Sequence, residues 1–278
     1  MAMTSNYLTC AGREIHYTER GQDNPETVIM WHGLARTGRD FDIAADLLAR
    51  SYRVICPDTV GRGLSQWAED PKKEYCLAFY GDIAVDLVSQ LRIEKLRWVG
   101  TSMGGAIGIH LAGDRLQGRI SHLVINDIGP QLAPAAVERI LIYAGSPPAV
   151  ATMAQLEHML RTIYEPFGYM SDEEWRSMAE SSSRRLENGK WTIHYDPKMV
   201  EQFVHHPTDY DQWDTYDRVT AKTLLMRGAK SDLLLREWAE DMTRRGPCCK
   251  FVEYEGIGHA PALNVPDQLD VLTAFLAE

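Results

Sequence analysis

The sequence predicts an α/β protein, with a mainly parallel, doubly wound sheet and an inserted helical cap. Three observations lead to this prediction. Short β-prone runs alternate with amphipathic helical patterns in residues 1–128 and again in 217–278, which is the order of a parallel sheet covered by helices on both faces. Residues 129–216 contain helical patterns broken by prolines and no β-prone run. A glycine-rich turn also joins a strand to a helix within residues 98–112.

The first half of the predicted core contains most of its strands. The β-prone runs lie at 6–10, 14–20, 27–33, 52–58, 96–100 and 122–127. The helical patterns lie at 41–48, 76–92 and 104–112. Right-handed crossovers between such strands place their carboxyl ends on one edge of the sheet, where ligands of this architecture bind. Functional side chains are therefore expected just after the strands.

The second half begins with the cap and then completes the core. In the cap, helices are predicted for PAAVERILIYAG, AVATMAQLEHMLRTIY and SDEEWRSMAESSSRRLENG. The alternation then resumes with a strand at 223–228, a helix at 235–245, a strand at 249–256 and a closing helix from Pro266. The predicted domains are thus a core of residues 1–128 and 217–278 and a cap of residues 129–216.

Composition and charge exclude several classes of protein. The chain has 278 residues, 45% of them hydrophobic, and a formal net charge of −10, which argues against a nucleic-acid partner. The N-terminus lacks the pattern of a secretory signal, and no apolar run is long enough to span a membrane. The five cysteines have no C-x-x-C spacing. We expect a cytoplasmic protein with reduced thiols, no metal and no other cofactor, and of undetermined oligomeric state.

The glycine-rich turn has the form of a nucleophile elbow. It reads Gly100-Thr101-Ser102-Met103-Gly104, and it lies where a predicted strand ends and a helix begins. In such a turn the serine occupies a strained backbone conformation, and side chains at the flanking glycines would collide with neighbouring backbone. Ser102 is therefore the predicted nucleophile.

A serine hydroxyl needs a base, and the base needs a carboxylate that holds its tautomer. His259 lies in the loop GIGHAP after the last strand and is the predicted base. Asp232, in RGAKSD, is the predicted acid, because the strand before it is followed by the loop nearest in sequence to His259. Asp127 is a rival, since it ends its own strand in VINDIGP. The chain order of Ser102, Asp232 and His259 is the one expected for this architecture.

Two backbone amides are candidates for stabilising a developing oxyanion. One belongs to Met103, directly after the nucleophile, and the other to Leu34, in the loop after strand 27–33. His32, two residues before Leu34, is expected to position that loop.

These motifs together resemble the α/β-hydrolase fold, in the group that includes carboxylesterases, lactonases and carbon–carbon bond hydrolases. The matching pieces are WHG at 31–33, PDTVGRGLS at 57–65, GTSMGG at 100–105, RGAKSD at 227–232 and GHAP at 258–261. They occur in the order of the family and cover almost the whole chain. Relatives of this fold that open epoxides or remove halide use a carboxylate nucleophile, and Ser102 argues against that chemistry.

The resemblance implies a serine hydrolase that cleaves a small-to-medium carboxylic ester or lactone through an acyl-enzyme. Its partner would be a small molecule, without nucleic acid or membrane. An alternative is hydrolysis of a carbon–carbon bond in a vinylogous diketone, which would use Ser102 and His259 on a different bond. A ligand-binding receptor on the same fold is a further alternative, which the presence of all three triad residues disfavours.

Substrate selection is expected in the cap. Its aromatic residues, Trp175 and Trp191 among them, either line an apolar pocket or form the core of the cap itself. Arg36 is a candidate to meet a substrate carboxylate, with a surface salt bridge as the alternative. The pair His205-His206 has no partner at metal-ligand spacing, so solvated or capping roles are expected for it.

Overall fold

An eight-stranded sheet forms the centre of the computed structural model, which describes residues 2–278. The strands of the described residues are β1 (Thr4–Cys10), β2 (Arg13–Arg20), β3 (Thr27–Trp31), β4 (Arg53–Pro57), β5 (Leu96–Thr101), β6 (Ile120–Asn126), β7 (Ser183–Arg185), β8 (Trp191–Ile193), β9 (Lys222–Gly228) and β10 (Lys250–Tyr254). The sheet order is β1-β2-β4-β3-β5-β6-β9-β10. β2 pairs antiparallel with β1 and β4, and all later pairs are parallel. The predicted fold class is confirmed.

Helices cover both faces of this sheet. In chain order they are α1 (Asp42–Leu48), α2 (Pro71–Glu74), α3 (Leu77–Gln90), α4 (Met103–Ala112), α5 (Pro134–Ala144), α6 (Met153–Ile163), α7 (Asp172–Ser181), α8 (Gln202–His205), α9 (Trp213–Asp217), α10 (Arg236–Met242) and α11 (Pro266–Leu276). α1 and α11 contribute to the core on one face, and α3, α4 and α10 contribute to the core on the other. Within residues 2–278, no helix combines the length and the apolar character that a membrane crossing needs.

The core lies directly under the strand ends that carry the predicted site. Trp31 at the end of β3 and Trp98 in β5 are fully buried, and their rings stack with centroids 5.2 Å apart. The Trp98 indole N–H donates to the carbonyl of Gly104 at 2.9 Å, while that of Trp31 donates to Thr59 Oγ1 at 2.8 Å. Two large buried rings thereby connect β3, β5 and the first turn of α4, so the elbow rests on a rigid base.

Between β6 and β9 the chain forms α5 to α9, with one departure from the predicted all-helical segment. We call residues 129–216 the inserted segment. α7 starts at a capping box made by Ser171 and Glu174 but ends at Ser181 instead of continuing to Gly189. β7 and β8 then form a hairpin. Consecutive serines favour local hydrogen bonds over helix, and Gly189, with φ of 78°, allows the turn.

The strand-to-helix turn at Ser102 depends on contacts too close for any side chain. Ser102 itself has φ of 52° and ψ of −118°. A Cβ on Gly104 would lie 1.9 Å from the carbonyl oxygen of Trp31, and one on Gly100 would lie 2.2 Å from the carbonyl carbon of Gly104. Because the two glycines let α4 pack directly against β3 and β5, the strained serine is held at the sheet edge.

Gly104→Ala is expected to destabilise the fold severely. The added methyl group would meet backbone of β3, which cannot move aside, so the loss in unfolding free energy should reach at least about 3 kcal/mol. Urea unfolding followed by circular dichroism measures it. The matched control is Gly118→Ala, where φ is +75° and no atom lies within 4 Å of the new Cβ; strain alone should cost it about 1 kcal/mol. Equal losses would contradict this account of the elbow.

Candidate active site

Three side chains at the carboxyl edge of the sheet form an unbroken hydrogen-bonded line. Ser102 Oγ lies 2.9 Å from Nε2 of His259, and Nδ1 of His259 lies 2.7 Å from Oδ2 of Asp127. The Asp127 side chain is fully buried, whereas that of His259 is 20% exposed. Since a carboxylate only accepts, the neutral ring carries its proton on Nδ1 and turns the lone pair of Nε2 toward the serine.

Asp127 is fixed by the ends of two neighbouring strands. It follows β6 directly, with φ of 59°, and its backbone N–H donates to the carbonyl of Met226 at 2.8 Å. Its Oδ1 accepts the backbone N–H of Gly228 at 3.1 Å, and its Oδ2 faces His259. Both carboxylate oxygens are therefore occupied, and the side chain has a single orientation.

The structure corrects the assignment of Asp232 as the carboxylate that contacts His259. The Asp232 side chain is 56% exposed and forms a two-pronged ion pair with Arg139 of α5, with both N···O distances at 2.9 Å. It borders the cavity above the site, but Asp127, the rival considered from the sequence, occupies the position against the imidazole.

The reason lies in the path of the loop that carries His259. A Cβ on Gly228 would lie 2.1 Å from the carbonyl oxygen of Gly258, so the loop after β10 crosses closely over the end of β9. This crossing brings His259 to the end of β6. The loop after β9 meanwhile continues outward, which leaves Asp232 at the cavity mouth. Proximity in sequence between Asp232 and His259 gave the wrong partner because it carries no information about this crossing.

The predicted oxyanion donors lie beside Ser102. Thr59 N–H donates to Nε2 of His32 at 2.9 Å, so the His32 proton is on Nδ1, which donates to the carbonyl of Gly33 at 2.7 Å. The N–H of a trans peptide points opposite to its C=O, and the Leu34 N–H therefore points away from His32. Within residues 2–278, neither this N–H nor that of Met103 donates a hydrogen bond. Their catalytic role remains a prediction.

Arg62, which sequence reasoning did not single out, supports both of these residues. It is fully buried, and its Nε donates to the carbonyl of Leu34 at 2.9 Å while its Nη2 lies 3.5 Å from the Met103 sulfur. The guanidinium also donates to the Tyr80 hydroxyl at 3.0 Å and faces the rings of Tyr75 and Tyr80. Arg62 is thus a positioning residue beneath the loop and the elbow. Its place in PDTVGRGLS was the available signal.

A cavity of about 600 Å³ lies above Ser102 and His259. Residues of the inserted segment that line it are Arg139, Ile140, Tyr143, Ile163, Tyr164, Pro166 and Phe167. Trp175 and Trp191, the predicted pocket residues, do not line this cavity. Trp175 is buried on α7, and Trp191 lies on β8 and bridges to Val150. Both pack within the inserted segment, which is the second of the two roles considered for them.

Arg36 lines the same cavity, as the sequence suggested, but its salt bridge is not a surface one. Its side chain is 4% exposed and its Nη2 lies 2.5 Å from Oδ1 of Asp40. Burial disfavours the guanidinium charge, yet the Asp40 carboxylate and the Tyr164 side chain together outweigh that effect and raise the pKa of Arg36. The side chain is therefore cationic at neutral pH.

One cluster of potential metal ligands lies away from the site. Ligand atoms of Cys76, His206 and Asp209 come within 4.8 Å of one another. Each already has a partner, because Cys76 Sγ and Asp209 Oδ2 accept backbone N–H groups at the start of α3, and His206 Nε2 contacts the carbonyl of Lys72. Burial also raises the pKa of both Cys76 and Asp209. Cys76 and Asp209 thus cap the start of α3, and the solvated or capping roles expected for the pair His205-His206 stay a prediction.

Fold and site together define a hydrolase, and comparisons with known proteins agree. The model of the alpha/beta hydrolase family matches residues 28–270, and the chain belongs to this family. A curated relative, a 3-hydroxybutyrate-oligomer hydrolase of Cupriavidus necator, is 38% identical over 91% of this chain and 88% of its own. A solved alpha/beta hydrolase from Novosphingobium aromaticivorans is 30% identical with a TM-score of 0.87, covering 100% of this chain and 99% of that one. An esterase of Mycobacterium tuberculosis is 24% identical over 87% of this chain and 79% of its own.

The buried His32 predicts a pH dependence of stability. Burial lowers its pKa from 6.5 to about 4, so the unfolded chain takes up the proton first as the pH falls. Neutral His32 makes its full contribution to the free energy of unfolding above its ordinary pKa of 6.5. This contribution is lost as the pH falls toward the pKa of His32 in the folded state, about 4. Between these values wild type should lose up to about 3 kcal/mol more unfolding free energy than His32→Gln, which cannot titrate. Urea unfolding at several pH values measures this difference, and parallel stability curves would contradict it.

Proposed function

We propose that this chain is a serine hydrolase of carboxylic esters, with Ser102 as nucleophile, His259 as general base and Asp127 as the carboxylate that orients it. The observation that carries the proposal is the hydrogen-bonded line from Ser102 through His259 to the buried Asp127, at the base of a cavity of about 600 Å³. Hydrolysis of ester bonds is also the activity named for the relative that matches most of the chain.

In the proposed reaction, Ser102 Oγ attacks the ester carbonyl carbon while His259 Nε2 takes its proton. The resulting imidazolium is stabilised by Asp127, which accepts from Nδ1. The tetrahedral intermediate collapses when His259 returns the proton to the departing alkoxide, which leaves as an alcohol. Water then attacks the acyl-enzyme by the same route and releases the acid. Only side chains, backbone amides and water take part in these steps.

The N–H groups of Leu34 and Met103 are the proposed oxyanion donors. Support comes from their place on either side of Ser102, from the absence of another acceptor within residues 2–278, and from the contacts that fix them. His32 holds the carbonyl of the Gly33–Leu34 peptide, which carries the Leu34 N–H, and Arg62 holds the carbonyl of the next peptide, so the donor is oriented before substrate arrives. Such preorganised donors contribute strongly because they need no rearrangement as charge develops.

We further propose that the inserted segment, residues 129–216, is a cap that selects short 3-hydroxyalkanoate esters. Side chains of α5 and of the turn after α6 line the cavity beside Ser102. The lining includes apolar Ile140 and Ile163 and also Tyr143 and Tyr164, which can supply both ring surface and a hydroxyl, and this mixture suits short chains that bear both methyl and ester groups. The named substrate of the Cupriavidus relative belongs to this class.

Covalent labelling and turnover test the proposal directly. A fluorophosphonate should label wild type on Ser102, as located by mass spectrometry, and should leave Ser102→Ala unlabelled. The same preparation should hydrolyse the methyl ester of the 3-hydroxybutyrate dimer, with release of methyl 3-hydroxybutyrate measured by chromatography. An adduct on a different serine would overturn the assignment of the nucleophile, and labelling without dimer cleavage would overturn the substrate class.

Two aspartate variants separate the proposed acid from its rival. Asp127→Asn should lower kcat by up to about 10⁴-fold, because an amide at this position favours the wrong imidazole tautomer. Asp232→Asn is the matched control: it removes only an exposed ion pair with Arg139, so its effect on kcat should stay below about fivefold. Stopped-flow or steady-state assays with p-nitrophenyl acetate supply the measurement. The opposite ranking would return the role to Asp232.

A further inference from the structure

A buried guanidinium beside the proposed nucleophile has one nitrogen without a partner. Arg36 donates from Nε and Nη2 to the two carboxylate oxygens of Asp40, at 2.8 and 2.5 Å. Its Nη1 is buried and forms no hydrogen bond within residues 2–278. A buried, charged donor without an acceptor costs more than about 1–3 kcal/mol, so an acceptor is expected there when the site is in use.

The side chain that carries the unpartnered nitrogen lines the cavity that holds Ser102. Arg36 lines this cavity together with Ser102 and His259. The position that a Cβ would take on Gly33 is 3.6 Å from Ser102 Cβ and 3.9 Å from Arg36 Cγ. Only the width of one glycine therefore separates the base of the arginine side chain from the nucleophile. A carboxylate bound by the guanidinium would therefore share the cavity with the nucleophile.

The guanidinium is held in one orientation before any ligand binds. Asp40 occupies one edge of its plane through two hydrogen bonds, and the ring of Tyr164 lies against the guanidinium carbon, 4.6 Å from the ring centroid. The remaining edge is the one that carries Nη1. A planar fork fixed in this way recognises a carboxylate with little loss of side-chain entropy.

The charges around the cavity favour an anion. Three cations line it, Arg36, Arg139 and Lys230, against the carboxylates of Asp40 and Asp232. The two arginines are paired with these aspartates, while the Lys230 ammonium has no carboxylate within 4.0 Å among the described residues. The Asp127 carboxylate behind His259 balances the overall count, so the feature that favours an anion is the unpaired Lys230 ammonium at the cavity, in a chain whose formal net charge is −10. An unpaired cation at a cavity attracts anionic substrates.

We propose that Arg36 binds the free carboxylate of the substrate, and that the enzyme removes single hydroxy-acid units from the carboxyl end of short oligoesters. This inference rests on the proposed function. In a linear oligomer of a hydroxy acid, the free carboxylate always belongs to the unit that leaves as the alcohol. With the carboxylate held in the same cavity as Ser102, the ester bond nearest to that carboxylate is the one offered to the nucleophile. Each turnover then adds one water and releases one hydroxy-acid monomer.

The test compares the 3-hydroxybutyrate dimer as free acid with its methyl ester, which differs only in the charge. For wild type, kcat/KM should be about 10- to 100-fold higher for the acid. The ratio between the two substrates should fall toward one in Arg36→Met. Because this change leaves Asp40 unpaired, Arg36→Lys is measured beside it; lysine keeps the ion pair but lacks the fork, and its ratio should fall as well.

Arg115→Met serves as the matched control, because it removes one positive charge from an exposed pair with Asp82 outside the cavity. Its ratio should equal that of wild type. A wild-type ratio near one, or a ratio unchanged in both Arg36 variants, would overturn the inference even if both substrates are cleaved. Using a ratio cancels any loss of activity that the two substrates share.

If neither dimer is cleaved, the proposed function is contradicted. Calorimetry still tests whether Arg36 binds a carboxylate, because it needs no turnover. Ser102→Ala is titrated with 3-hydroxybutyrate and with methyl 3-hydroxybutyrate. The acid should bind at least about tenfold more tightly, and the difference should disappear in Ser102→Ala/Arg36→Met. Equal affinities for acid and methyl ester in Ser102→Ala would show that Arg36 holds only the Asp40 loop.

Discussion

The contact between the first turn of α4 and the ends of β3 and β5 is the constraint on which the site depends. Gly100 and Gly104 bring backbone against backbone at distances that exclude any Cβ, and this contact holds Ser102 at a positive φ of 52°. In this conformation the Oγ of Ser102 reaches the imidazole of His259. Met103, the next residue, begins α4, so its amide lies beside the serine. The Trp31 and Trp98 rings below make this geometry stiff, since both are buried and stacked.

The position of the carboxylate follows from how three loops meet at the same edge. Asp127 accepts a hydrogen bond from Gly228 and donates one to Met226, both at the end of β9, and the loop of His259 crosses that end through a second close glycine contact at Gly228. The imidazole therefore meets the carboxylate of β6, although another aspartate is closer in sequence. Asp232 does not contact His259. It pairs with Arg139 of α5 and so connects the core to the inserted segment at the cavity mouth.

Three buried basic side chains organise the loop after β3, each with a different chemistry. His32 is neutral and fixes the Gly33 carbonyl, Arg62 holds the Leu34 carbonyl, and Arg36 pairs with Asp40 while keeping one nitrogen free. The first two satisfy their hydrogen bonds within the fold and act on backbone orientation. Arg36 is the exception, and an unsatisfied charged donor on a side chain that lines a cavity is a feature of ligand sites more than of stable cores. The same short loop thus combines support, a candidate oxyanion donor and a candidate substrate contact.

The sequence by itself determined the fold class, the order along the chain of the strands in the main sheet, and the choice of Ser102 and His259 as candidate site residues. Periodicity and glycine spacing are local signals, so the elbow and the histidine loop were recognisable without coordinates. Only the tertiary structure decided which aspartate meets His259, whether Trp175 and Trp191 line the cavity, and that Arg36 is buried with a free nitrogen. These outcomes depend on which strands are neighbours and on how loops cross their ends, and long-range packing of that kind leaves no trace in the spacing of residues.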